Sequence, residues 1–453
     1  IKEIADRFAR WASLALVPAE SLQGISTDSR RISAGELFVA IKGDNFDGHQ
    51  FVRTALDKGA VAALVDQAWF TENAQKFAND PLLVAADTLV AYQNIAHFYK
   101  NKVNPRVVAL TGSAGKTTCK EFIYAVLAQK WRVLRNIKSF NNHVGVPATL
   151  LQLEPEHEIL VAELGASDFG EIERLSELVQ PDVCVLLNIG YAHLEKFKNR
   201  MGVARAKMEI FAHASEEVLA IINADDEILA QQDYPVAAVI TFGVDPTASV
   251  VAEKVTCDEL GRYSFYLGEM QIHLRIPGRH NIYNALAAAA VGIQFDVPMA
   301  KIKAAIESVD FVEHRMNVTH AKGKIIFDDV YNANPGSCRA ALETAADIQI
   351  VDGARRIAVL GDMLELGELS ELEHRNLAEA VKENSIDALF LYGSFTKATA
   401  ARASELGLEV NHFQDQIELI NELKRFSAEN DLILVKGSRS MHMEHIVDAL
   451  KDD

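Results

Sequence analysis

The segment VVALTGSAGKTTCKEF, Val107 to Phe122, has the residue types and order that hold an anion. Apolar residues through Leu110 lead into Thr111, Gly112, Ser113, Ala114, Gly115, Lys116, Thr117 and Thr118, and a helical stripe of Phe122, Ile123, Val126 and Leu127 follows. Glycines let backbone N–H groups turn inward around phosphate oxygens. Lys116 can reach the terminal phosphates of a nucleotide, and the Thr117 hydroxyl suits a Mg2+ ligand. A helix entered from such a loop also turns its positive end toward the anion. The usual G-x-x-x-x-G-K spacing is not kept, because Leu110 stands where the first glycine would be. ATP is the expected ligand.

Two further residues end apolar strand-like runs, where ligands bind in parallel sheets. Glu163 closes ILVAELGA, and His193 follows VLLNIGYAHLE. Each has a plain surface or structural reading; beside a Mg2+-bearing loop both lean toward metal coordination. Lys207, in ARAKMEIF, stays open between a solvated helix residue and a functional one.

The elements that must position these residues follow from the hydrophobic pattern. RVVALTG, EILVAELGA, DVCVLLNIG, VLAIINADD and AAVITFG alternate with amphipathic helical stretches, the signature of a largely parallel α/β sheet. VVAEKVT, RYSFYLG and MQIHLRIPG then read as hairpin strands attached to it. GELFVAIKG and AVAALVDQ flank a helical FVRTALDKG in a small mixed unit before them. From His314 onward KIIFDDV, RIAVLGD, DALFLYG and DLILVKGS form another doubly wound pattern, without a G-x-G-x-x-G that would bind a dinucleotide. The fold class is therefore α/β in three domains: a small α/β domain over 1–84, a central mostly parallel phosphate-loop domain with added β segments over 85–312, and a Rossmann-like domain over 313–453. Hinges are expected near residues 84 and 312.

With 453 residues, 63 acidic and 45 basic side chains, the net charge is −18, which argues against a nucleic-acid or membrane-surface binder. No run approaches the ~18 apolar residues of a membrane span. Cys119, Cys184, Cys257 and Cys338 show no metal spacing and read as reduced thiols of a cytoplasmic protein.

TGSAGKTT, AELGA, AHLE, AKMEIF, IPGRHNIYNALAAAA, FDDVYNANP and VKGSRSM, taken in this order, resemble the Mur ligases of peptidoglycan synthesis over essentially the whole chain. Ala114 departs from that pattern, where Asn or Ser is commoner. STDSRRISAGELFVAIKGDNFDGHQF resembles the family's UDP-binding module. SFNNHVGVPATLL, FDDVYNANP and LGDMLELGELSELEH look like the member that acts last, joining D-alanyl-D-alanine to a UDP-N-acetylmuramoyl-tripeptide with ATP. The other readings are a sister Mur ligase, a folylpolyglutamate synthase-like enzyme, which would not need the N-terminal module, and a non-catalytic ATP-binding switch.

The resemblance implies further roles. Thr117, Glu163 and His193 would hold Mg2+, two ions in all, and Lys207 would be carbamylated to serve the same purpose. His280 and Asn281 would contact ATP from the central domain, and Arg315, Asp329, Tyr331 and Asn332 from the third. Lys116, His193, Lys207 and Arg315 would be catalytic. Ser29, Arg30, Lys42, Asp47, Gly48 and His49 would hold the UDP end, Asn141 and Asn142 the muramoyl peptide, and Lys436, Ser438 and Arg439 the peptide or acceptor. A monomer acting on small molecules through an acyl phosphate, its domains closing to exclude water, is expected.

Overall fold

The computed structural model describes residues 1–13, 22–43, 46–213, 217–310 and 314–452. The join and hinge expected at 312 and 313 fall on or beside the stretch 311–313, which lies outside the described residues.

Strands Gly24–Ser26, Glu36–Val39, Ala62–Asp66 and Leu82–Ala85 pair in parallel, and Arg10–Trp11 closes the edge antiparallel to Leu82–Ala85. The inner strands are apolar at nearly every position because both faces are covered, one by Tyr92 and Ile95, the other by Val52, Ala55 and Phe77. Residue 84, the first expected hinge, lies inside the last of these strands. The helix Thr88–Val103 follows, capped by the Asp87 carboxylate, which accepts the Val90 N–H.

The middle sheet has seven strands, all parallel. Arg106–Thr111 lies between Val183–Leu186 on one side and Ile159–Glu163 on the other. The chain runs from Arg106–Thr111 to the Ile159–Glu163 side and then crosses back, so the strand order reverses around it. Such a switch point opens a crevice at the strands' C-terminal ends. An antiparallel sheet of Glu253–Cys257, Arg262–Leu267 and Met270–Pro277 leads into the helix His280–Gln294, which packs on the loop helix Lys116–Leu127.

In the third unit Asn317–Ala321 pairs antiparallel with Lys324–Asp328, and Leu432–Lys436, Arg356–Gly361, Ala388–Tyr392 and Glu409–Phe413 continue in parallel. Alternate residues face opposite ways. Phe327 and Leu434 join a core continuous with that of the middle sheet, whereas Ile326 and Ile433 join a second cluster on the outer face. Three edge strands, Val133–Arg135, Asn317–Ala321 and Glu409–Phe413, are not foreseen in the sequence pattern. They are half-exposed along their length, so no clean alternation marks them.

Candidate active site

The phosphate-loop segment runs from strand Arg106–Thr111 into helix Lys116–Leu127 through Gly115, whose φ is +80°. A Cβ there would lie 2.8 Å from Asn284 Oδ1, so both backbone and space call for glycine. Two loop N–H groups do not face the cleft freely: Ser113 N and Ala114 N both donate to Asn188 Oδ1, at 3.1 and 2.9 Å. Asn188 Nδ2 returns a bond to the Ala114 carbonyl at 3.1 Å, and Gly190 N donates to Ser113 Oγ at 2.8 Å. The first-turn N–H groups of the helix are the donors left for an anion. Lys116 Nζ folds back to donate to the Gly112 carbonyl at 2.7 Å, and loss of water around it lowers its pKa.

Glu163 is 1% exposed, yet only one of its oxygens is hydrogen-bonded. Oε1 accepts from Thr117 Oγ1 at 3.2 Å and from Asn141 Nδ2 at 2.7 Å. Oε2 has no hydrogen-bonding partner; the nearest cation, Lys120 Nζ, stands 3.6 Å away. Lys120 is itself fully buried and donates to the Lys138 carbonyl, which ties the loop helix to the segment carrying Asn141. Burial lowers its pKa, against the pull of Glu163 and Glu121. Asn136 Oδ1 accepts the Glu163 N–H at 2.6 Å and fixes the strand end. A carboxylate oxygen without a hydrogen bond, beside a hydroxyl, is a donor set that a hard divalent cation takes.

A cleft of about 670 Å³ joins the middle and third units. The middle unit contributes Ser113 through Thr118, Asn141, Asn142, Glu163, His193 and His280; the third contributes Arg315, Asp329, Tyr331, Asn332 and Lys436. Arg315 lies 3.8 Å above the Tyr331 ring, and the Tyr331 hydroxyl is hydrogen-bonded to Ser139 Oγ across the cleft. Buried Lys436 contacts the Asp329 carboxylate and donates to the Asn332 carbonyl at 2.9 Å. Burial pushes the His280 pKa down to about 4.

The structure does not bring every expected residue to this cleft. Thr111 and Gly112 lie beneath the loop, and Thr111 Oγ1 donates to the Leu164 carbonyl at 2.8 Å. Asn281 is turned inward, bonded to the Pro277 carbonyl and to Asn284, and it is Asn284 that reaches the lining. Ser438 Oγ accepts the Leu364 N–H at 2.9 Å, and Arg439 pairs with Glu444. Lys207, on helix Arg200–Met208, is 1% exposed behind the wall, where burial and then Lys116 lower its pKa to about 7. In the N-terminal unit Ser29 is buried, its carbonyl accepting from Lys58 Nζ, and Arg30 forks onto Asp28 with both contacts at 2.9 Å. Lys42 and Asp47 pair across a β-bridge, and Gly48 has no room for a Cβ against Ile41. His49 is buried: Nδ1 lies 2.7 Å from Asp47 Oδ1 and Nε2 accepts the Asp66 N–H at 3.1 Å, so its ring is spent on the fold.

Asn188, Asn284, Lys120, Asn136 and Ser139 were not singled out by the sequence pattern. Asn188 follows strand Val183–Leu186 as Glu163 ends its own, and the strand-end rule, applied to every strand, finds it. Among the described residues no three His, Cys, Asp or Glu side chains cluster as a metal site, and no helix is long and apolar enough to cross a membrane.

Family models described as Mur ligase family, catalytic domain, as Mur ligase middle domain, and as Mur ligase, glutamate ligase domain match residues 21–104, 110–292 and 314–439. The chain is 38% identical over 443 residues, 96% of its length and 94% of the relative's, to a UDP-N-acetylmuramoyl-tripeptide–D-alanyl-D-alanine ligase of Escherichia coli strain K12. It is 35% identical over 431 residues to the ligase of the same name in Bacillus subtilis strain 168, covering 94% and 92% of the two chains. A crystal structure of MurF from Acinetobacter baumannii superposes with a TM-score of 0.90 at 32% identity, over 100% of this chain and 98% of that one. A MurF ligase from Thermotoga maritima in complex with ADP does so with a TM-score of 0.81 at 27% identity, over 97% and 98%.

Proposed function

The chain belongs to the Mur ligase family, and on that premise we propose how its cleft joins D-alanyl-D-alanine to a UDP-N-acetylmuramoyl-tripeptide at the expense of ATP. The observation that carries this reading is the full-length match to ligases of that name in a chain whose phosphate loop faces cationic side chains of the third unit. Relatives of this one activity recur in distant bacteria, which favours the dipeptide ligase over a sister ligase or a silent switch.

A carboxylate acylates poorly because an oxide would have to leave. The γ-phosphoryl of ATP therefore passes first to the tripeptide's terminal carboxylate, and the dipeptide amine then displaces phosphate from the acyl phosphate. The first step brings anions together, and Lys116 and Arg315 line the cleft with the charge to compensate, while Lys436 is paired with Asp329. Helix N–H groups and Lys116 take the nucleotide phosphates; Tyr331 and Asn332 take its remainder from the third unit. The Thr117 hydroxyl, the Glu163 oxygen without a hydrogen bond and His193, all lining the cleft, are the residues that would hold a Mg2+ ion, with water and phosphate oxygens as its other ligands. When bound, the ion supplies Lewis-acid charge at the transferred group. Lys207 is a candidate for carbamylation: its amine adds to CO2, loses a proton and becomes an anionic oxygen donor. The N-terminal unit, with Arg30, Lys42 and Asp47 at its surface, is the place for the UDP end; Asn141 and Asn142 are the contacts for the muramoyl peptide.

The test is phosphate release from Mg-ATP with UDP-N-acetylmuramoyl-tripeptide, with and without D-alanyl-D-alanine. Release that needs both, with a pentapeptide product by mass, is expected. Release with a single amino acid on a shorter muramoyl substrate, or none with any acceptor, overturns the reading.

A further inference from the structure

His193 and Glu365 meet across the seam between the middle and third units. His193 follows strand Val183–Leu186, and Glu365 follows strand Arg356–Gly361 in the segment Leu364–Gly367. Glu365 Oε2 lies 2.5 Å from His193 Nδ1. The pair has ion-pair distance without hydrogen-bond alignment, so the attraction is one of charge and dipole. Beside it Glu195 N donates to the Glu365 carbonyl at 3.1 Å, and a Cβ on Gly367 would lie 3.0 Å from Glu195 Cα. The segment is anchored to its own unit by the Leu364 N–H on Ser438 Oγ.

Both partners of this contact hold the left-handed backbone, with φ of +51° at His193 and +63° at Glu365. Neither is glycine, and such conformations persist where the surroundings over-determine them, often at functional sites. The carboxylate held against Nδ1 restricts the orientation of the His193 ring from the third unit.

We propose that Glu365 is a positioning residue for His193: supplied by the third unit, it sets the ring for metal coordination, so that the metal position is complete only when that unit is docked. This rests on the reading of Thr117, Glu163 and His193 as the Mg2+ holders.

Mn2+ binding to the full chain, followed by electron paramagnetic resonance with a non-hydrolysable ATP analogue, tests it against E365A, E365Q and H193A. Affinity of the analogue without metal serves as the structural control. E365A is expected to weaken Mn2+ about tenfold or more while analogue affinity stays unchanged, with E365Q, which keeps the shape, between it and the native chain. Native Mn2+ binding in E365A together with its loss in H193A overturns the positioning role and leaves the site reading standing. Native binding in both overturns the two together. Equal loss of Mn2+ and analogue in E365A marks a general structural defect and also overturns the proposal.

Discussion

A lysine ammonium taken out of water, as that of Lys207 is, gives up its proton more readily than in solution. Its ordinary value of 10.5 falls to about 7 through burial and the nearby Lys116 charge. The unfolded chain therefore binds more protons than the folded one between about 7 and 10.5, and the stability of the unmodified protein rises with pH across that window. Below about 7 the folded protein bears the full cost of a buried cation. Only the neutral amine adds CO2, so carbamate should form above about pH 7 and be lost below it. Carbon-13 NMR with labelled bicarbonate should show a signal that grows through that pH and is absent from K207M, and K207M should flatten the rise of stability measured by denaturant. A signal independent of pH, or one present in K207M, removes Lys207 as the carbamate.

The loop and its helix depend on one backbone position. G115A would force a Cβ into the left-handed region, at about 1–2 kcal/mol, and against Asn284 Oδ1. ATP affinity by calorimetry should fall about tenfold or more, and the unfolding transition of the ligand-free protein should move down by a few degrees. The strand that feeds this loop, and the strands ending at Glu163 and before His193, were legible because buried parallel strands are apolar throughout and end where polarity begins. Edge strands such as Glu409–Phe413 were not, since half-exposed residues carry no strong pattern. The site was legible where a residue type is rare in its setting, as with Lys116 after two glycines. His49, expected at the UDP end from the resemblance, has both ring nitrogens in contacts within the N-terminal unit, and no spacing in the sequence announces those partners. Glu365 was silent, because only the pairing of two distant loops gives it a partner.

At the scale of the molecule, three α/β units were readable from the spacing of their strands, but which units share a core was not. One face of the N-terminal sheet has an apolar cluster of its own and the other is covered by Tyr92 and Ile95 of the helix Thr88–Val103, whereas one cluster runs from the middle sheet through helix His280–Gln294 to Phe327, Leu342 and Leu434 of the third unit. Pulling the third unit from the middle one would wet part of that shared interior, and wetting apolar surface raises heat capacity. Scanning calorimetry should then resolve two transitions, a smaller one for the N-terminal unit and a larger one for the other two melting together. An ATP analogue, held on the larger side, should move only the second. The cleft between the middle and third units thus borrows its stiffness from a common interior, and the unit assigned to the UDP end is tied to that interior through the helix Thr88–Val103.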